Sequence, residues 1–280
     1  TPFVFFFITT AINFYVVRQG LTAGIERLAK IGMPILFVFA AILVVRVLTL
    51  GTHDVMVDGV LTQSSPIDGL NFMYTPNWSL LGNPKVWLAA TGQIFFTLSV
   101  GMGSLQAYAS YLSKKDDIAL SGIATAATNE TAEVVLGGSL AIPAIVAFFG
   151  VAGATAIAKG GSFDLGFIAM PLVFNQLPGG AVMATAAGVM WFGLLFFAGI
   201  TSSVAMATPA LSFVEENFGW TRKRTATVLG IIALLLGLLH LVFYTKGFLD
   251  EWDYWAGTFG LVILALVETI LFVWAMGPDA

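Results

Sequence analysis

The sequence predicts an all-α polytopic membrane protein. Of its 280 residues 58% are hydrophobic and only 10% charged, with a mean hydropathy of +0.91. Apolar runs recur at the length of about 20 residues that spans hydrocarbon. The polar residues inside those runs are few and clustered. A soluble domain is about 25% charged, so water is not this chain's main solvent. With no cysteine, disulfides and thiolate metal sites are excluded. The net charge of -4 and the scattered basic residues give no concentrated basic face for nucleic acid.

Seven segments meet the length criterion, at 2–17, 31–50, 86–112, 118–149, 182–214, 225–244 and 254–276. The fourth and fifth exceed the hydrocarbon thickness and imply tilt, kinks or extension beyond it. Thr1-Pro2 passes at once into the first run, with no initiator methionine or basic leader, which reads as a cut edge; Pro278-Asp279-Ala280 closes the chain just after the last run. Basic residues fall unevenly on alternate connections. Arg18, Arg27, Lys30, Lys114, Lys115, Arg222, Lys223 and Arg224 lie on one side, against Arg46, Lys85, Lys159 and Lys246 on the other. The richer side is cytoplasmic by the positive-inside rule, which puts Thr1 outside and Ala280 inside. The two larger external connections, about 51–85 and 150–181, carry aromatic and apolar residues of their own and read as ordered lids.

Polar residues at membrane depth carry the functional signal. The third run holds GQIFFTLSVGMGS at 92–104, with Thr97, Ser99, Gly101 and Gly103 near its middle. Either the backbone unwinds there and lines a cavity, or small residues pack tightly against a neighbouring helix. In the fourth run Asn129 and Glu133 share a face one turn apart, with Glu130 beside them. Charges this deep mark an ion path or a structural pair. Glu268 in the last run has no charged neighbour in sequence and reads as a packing or helix-pairing residue. The fifth run offers hydroxyls at Thr201, Ser202 and Ser203. These are hard oxygen ligands suited to sodium, or they bond back to the preceding turn. Asp250, Glu251 and Asp253 stand among Trp252, Tyr254 and Trp255 at the outer end of the last run, as an interfacial belt or a solvated acidic loop. His53 and His240 lack partners in sequence that would make a metal or proton site.

The words GQIFFTLSVGMG, LSGIATAATNETAEV, FFAGITSSVAM and LDEWDYWAGT, in this order, resemble consecutive helices of the neurotransmitter:sodium symporter family, in its bacterial amino-acid branch. The resemblance runs over essentially the whole chain. It includes GIERLAKIGMP at 24–34, GLNFMYTP at 69–76 and VAFFGVAGATAIAKGGSFDLGF at 146–167. It implies a partial LeuT-like inverted-repeat fold covering the fourth to tenth helices, with a broken helix at about 97–103. Residues 1–280 form one transmembrane domain, in which 1–50 is the closing pair of the first repeat and 86–276 the complete second repeat. The first three and last two helices of the family pattern are absent from the sequence.

Carried over residue by residue, the resemblance places Phe96, Thr97, Ser99, Met102, Ser202 and Met206 around an amino-acid substrate. Thr97 and Asn129 match ligands of a first sodium site, which the substrate carboxylate completes. Ala198, Thr201 and Ser202 match a second. Both sites are incomplete here, since their other ligands lie on the missing first helix. Gln93 and Asp253 match an outer gate, and Ser110, Tyr111 and Glu216 an inner one. Glu216 departs from the aspartate of many relatives.

Glu133 stands where chloride-dependent relatives have serine, so its charge replaces the anion and no chloride is required. The thioether of Met102, where some relatives carry a ring, leaves room for a hydrophobic or aromatic substrate. The reading is therefore sodium-coupled amino-acid symport by alternating access in the plasma (inner) membrane of a bacterium, with membrane lipid and the missing helices as partners. The isolated 280 residues are expected to be inactive. The alternative is a non-transporting binding or scaffold protein that keeps the fold. An enzyme built on Glu130 and Glu133 is disfavoured, because no nucleophile–base pair or metal constellation accompanies them.

Overall fold

The computed structural model describes residues 2–19, 26–57, 59–109, 112–113, 115–159 and 163–277. Helices dominate: α1 (Pro2–Gln19), α2 (Arg27–Leu48), α3 (Pro66–Tyr74), α4 (Pro84–Thr97), α5 (Ser104–Ala109), α6 (Ile118–Glu130), α7 (Ser139–Ala158), α8 (Met170–Gln176), α9 (Gly180–Phe218), α10 (Arg222–Phe243), α11 (Phe248–Trp252) and α12 (Leu261–Ile270). Wider π-helical turns at Thr131–Gly138 and Asp253–Gly260 link α6 to α7 and α11 to α12. Among the described residues five helices are long and apolar enough to cross a membrane: Ala29–Leu48, Ile118–Ala158, Gly180–Phe218, Arg222–Lys246 and Phe248–Met276. Phe3–Gln19 is a shorter apolar helix. The third predicted run is two short helices, α4 and α5, with residues 98–103 outside both.

The chain divides into two compact units, one drawn from Thr1–Lys30, Trp78–Ile123 and Ile200–Ala280, the other from Ile31–Asn77 and Ala124–Gly199. The second unit has the drier core. Leu43 and Val47 of α2 meet Leu140 and Ile145 of α7, Met170 and Val173 of α8, and Trp191 of α9. The Trp191 indole N–H donates to the Gly166 carbonyl at 3.0 Å, which lets a polar ring edge sit in this core. The first predicted external lid contains a β-hairpin, β1 (His53–Val57) paired antiparallel with β2 (Val60–Ser64). The buried Ser64 hydroxyl donates to the Val146 carbonyl at 2.7 Å, pinning the hairpin to α7. A capping box follows at once. Ser65 caps Asp68, and Asp68 returns a bond to the Ser65 amide at 2.8 Å, so α3 starts where the hairpin ends. Gly69 of α3 then lies against α7 so closely that a Cβ there would stand 2.5 Å from the Pro143 Cα.

In the first unit α1 packs on α10 through two notches. The Phe14 ring fills the space above Gly230 and the Phe6 ring the space above Gly237; a Cβ at either glycine would meet ring carbon at 2.7 Å. Small residues that admit a neighbour's bulk suit helix pairing in lipid, where burial of apolar surface supplies no drive. Ile12, Val16 and Val17 of α1 also pack on buried Ile200 and Val204 of α9. Where α9 turns into α10, Glu215 and Arg222 pair at 3.3 Å, and the Arg222 Nε donates to the Val17 carbonyl. In the loop before α6 the Ser113 amide donates to Asp116 at 2.8 Å. That bond and the Ser113 hydroxyl hold the Asp116 carboxyl below the usual carboxylate range. Asp117 caps α6 by accepting from the Leu120 amide.

Contact with backbone makes Gly69 the least forgiving of these positions. Gly69→Ala is expected to lower stability by about 1–3 kcal/mol. Gly82→Ala, with nothing within 4 Å of the new methyl, is expected to stay within about 0.5 kcal/mol. Thermal denaturation of the two variants in detergent checks the contrast.

Candidate functional site

The break between α4 and α5 is built residue by residue. The Ser99 amide donates to the Phe96 carbonyl at 3.1 Å and the Val100 amide to the Phe95 carbonyl at 2.9 Å. These are the paired bonds of a Schellman helix end, which needs a left-handed residue at the position Ser99 holds. Ser99 adopts φ +56°, the one positive φ at a non-glycine among the described residues. A side chain there costs about 1 kcal/mol relative to glycine. Gly101 and Gly103 follow at φ +79° and +73°.

The loosened backbone is held from two sides. On one, the Gly101 amide donates to the Glu268 carboxylate of α12 at 3.2 Å, and a Cβ at Gly101 would meet the Leu261 carbonyl at 3.0 Å. On the other, the start of α5 touches α9. Gly103 touches Pro209, and the Ser104 hydroxyl donates to the Ala205 carbonyl at 3.3 Å. Tyr108, one turn further along α5, bonds the Thr208 hydroxyl.

The first unit holds most of the residues singled out in sequence. Phe96 and Thr97 close α4, Ser99 and Met102 form the break, and Thr201, Ser202 and Met206 lie on successive turns of α9. Phe96 and Met206 are 42% and 48% exposed. Of the hydroxyls at positions 201–203 of α9, Ser203 bonds Asn13 of α1 and the Ile200 carbonyl. Thr201 is half-buried and Ser202 exposed. The hydroxyls of Thr97, Ser99, Thr201 and Ser202 are uncharged oxygens of the kind a hard monovalent cation takes, and the Glu268 carboxylate is engaged by the Gly101 amide.

Gln93 is exposed on α4. Asp253 opens the π-helical turn that α4 packs against, Gly92 lying on Thr258. The His240 ring stacks edgewise on Phe248 and Trp252 at 4.9 and 5.6 Å, which fixes α11 immediately before Asp253. Glu216 is exposed on α9, and the ion pair at that end is made by its neighbour Glu215. Ser110 and Tyr111 lie outside the described residues.

Three predicted residues belong to the second unit. Asn129 of α6 lines an open cavity of about 390 Å³ with Met33, Phe37, Thr125 and Thr128. Glu133 is exposed on the π-helical turn that follows, and Ala198 is half-buried on α9.

A helix broken at residues 98–103 is what the family resemblance calls for, and a family comparison settles the membership. The model of the sodium:neurotransmitter symporter family matches residues 5–280. The chain belongs to this family. An uncharacterized sodium-dependent transporter of Methanocaldococcus jannaschii is 31% identical over 275 residues, 94% of this chain and 50% of the relative. The sodium-dependent nutrient amino acid transporter 1 of Drosophila grimshawi is 27% identical over 78% of this chain and 34% of the relative. Among solved structures, MhsT in complex with L-phenylalanine superposes with a TM-score of 0.78 at 29% identity, over 96% of this chain and 57% of that one. The chain thus spans about half the length of the curated relatives it matches. Its relatives are transporters, and its apolar helices make it a multi-pass membrane protein.

Two residues at the break escape sequence reading. Glu268 stands 167 positions from the amide it receives, and Ser104 stands 101 from its acceptor. The only trace of the first was a carboxylate at membrane depth; the second had none. Glu268→Ala leaves the Gly101 amide unsatisfied and is expected to cost about 1–3 kcal/mol, whereas Glu268→Gln keeps an acceptor and is expected to cost under about half as much. Hydrogen exchange over residues 98–104, faster in the alanine variant and near normal in the glutamine variant, is the readout.

Proposed function

We propose that the whole protein carrying this chain is a sodium-coupled amino-acid symporter working by alternating access, with a hydrophobic or aromatic substrate. The observation that carries the reading is the broken helix: its unwound turn exposes backbone and hydroxyl groups at membrane depth, which is tolerated where they line a site. Phe96, Thr97, Ser99, Met102, Ser202 and Met206 form the substrate wall in this reading. Backbone amides and carbonyls of an unwound turn suit the carboxylate and ammonium of a zwitterion. Met102 and the exposed Phe96 supply apolar surface for the side chain.

Sodium is cargo. Its donors are Thr97 and Asn129 for one ion and Ala198, Thr201 and Ser202 for a second, each set completed by residues beyond this chain. The Glu133 carboxylate balances the ions, so chloride is not required. Gln93 and Asp253 act at the outer gate, and Ser110, Tyr111 and Glu216 at the inner one. The domain reading stands with these: one transmembrane domain of seven crossings, Thr1 outside and Ala280 inside, with 1–50 closing the first repeat and 86–276 forming the second. By itself the chain lacks part of each ion site and is inactive. The similarity of a relative named for nutrient amino-acid transport and of a structure holding L-phenylalanine supports the substrate class.

The test is uptake of radiolabelled amino acids by the whole protein in proteoliposomes. Uptake driven by an inward sodium gradient, changed less than about twofold when gluconate replaces chloride and inhibited by phenylalanine more than by alanine, is expected. Binding without sodium-driven uptake would sink the transport reading. Asn129→Ala and Thr201→Ala are each expected to raise the half-saturating sodium concentration by about tenfold.

A further inference from the structure

Pro209 stands inside α9 and has no amide hydrogen, so the Ala205 carbonyl four residues earlier loses its helical donor. In hydrocarbon an unpaired carbonyl is costly, and proline survives in membrane helices where a neighbour replaces the missing donor. Here the neighbour is Ser104. It is 2% exposed and its hydroxyl reaches the Ala205 carbonyl at 3.3 Å. Two further contacts lie on the same faces: Gly103 against the Pro209 ring and Tyr108 on Thr208, itself 1% exposed. On α5, Ser104 and Tyr108 are one turn apart; on α9, Ala205, Thr208 and Pro209 share a stripe. The preceding turn of α9 presents Thr201 and Ser202. On the other side, Ser104 directly follows the unwound residues 98–103.

We propose that Ser104 is a positioning residue: by donating to the carbonyl that Pro209 leaves open, it locks the unwound turn to the stretch of α9 that bears Thr201 and Ser202. This rests on the symport reading above, because it assigns those two segments to substrate and sodium. The lock makes the two binding surfaces one mechanical piece. Sodium bound by the α9 hydroxyls then favours the same placement of the unwound turn that the amino acid requires, and neither ligand alone must order the joint.

A double-mutant cycle isolates this hydrogen bond. In Pro209→Ala the new amide restores the helical donor to Ala205, so the carbonyl no longer depends on Ser104. Uptake by the whole protein in proteoliposomes is measured for wild type, Ser104→Ala, Pro209→Ala and the double variant. Ser104→Ala is expected to raise the half-saturating concentrations of both sodium and amino acid by about tenfold with maximal rate within about twofold, and to do so by less than about twofold in the Pro209→Ala background. Equal losses in both backgrounds, or no loss in either, would overturn the proposal. Melting temperatures of the same four proteins keep the two readings apart. If the wild type shows no sodium-driven uptake, the symport reading fails, while a melting loss for Ser104→Ala confined to the Pro209 background still locates the hydroxyl on that carbonyl. Equal melting losses in both backgrounds would remove the joint itself.

Discussion

A backbone amide or carbonyl at the depth of hydrocarbon must find a partner inside the protein, and the structure around the break follows from that constraint. Breaking the helix after Thr97 leaves carbonyls at the end of α4 and amides towards the start of α5 without helical partners. The paired bonds at Ser99 and Val100 take back two of them, and the Glu268 carboxylate takes a third at Gly101. Pro209 opens a gap of the same kind in α9, and Ser104 closes it.

Glycine and hydroxyl residues crowded into an apolar run left two readings open, an unwound cavity or tight packing, and the family resemblance selected the break. Gly101 and Gly103 do take positive φ, and α4 stops at Thr97. The long apolar helices were legible because hydrocarbon thickness sets their length. Three features were not legible. The hairpin at His53–Ser64 is held by Ser64 on α7, a contact across 82 positions that no local pattern encodes. The π-helical turns differ from α-helix by one residue per turn and leave the composition unchanged. The left-handed φ of Ser99, a residue the resemblance placed in the substrate wall, has no sequence mark that separates it from a helical serine.

The partners of the break explain why family resemblance added more than periodicity could. Glu268, taken by itself, reads as a helix-pairing residue, and it does pair α12 with the unwound turn. What sequence could not supply was its acceptor role toward a specific amide. Conversely, the neighbouring acids Glu215 and Glu216 are indistinguishable in sequence, and the structure separates them: the first takes Arg222 and the second stays exposed.

The rings of Phe6 and Phe14 seat in the hollows of Gly237 and Gly230 on the antiparallel neighbour. Two teeth spaced about two turns apart engage together, so a slide of one helix along the other by a single turn would drive both onto filled surface at once. The pair is therefore keyed against gliding and carries load as a strut. Any rearrangement involving α1 must take α10 with it, and bending is left to segments that possess no such keying.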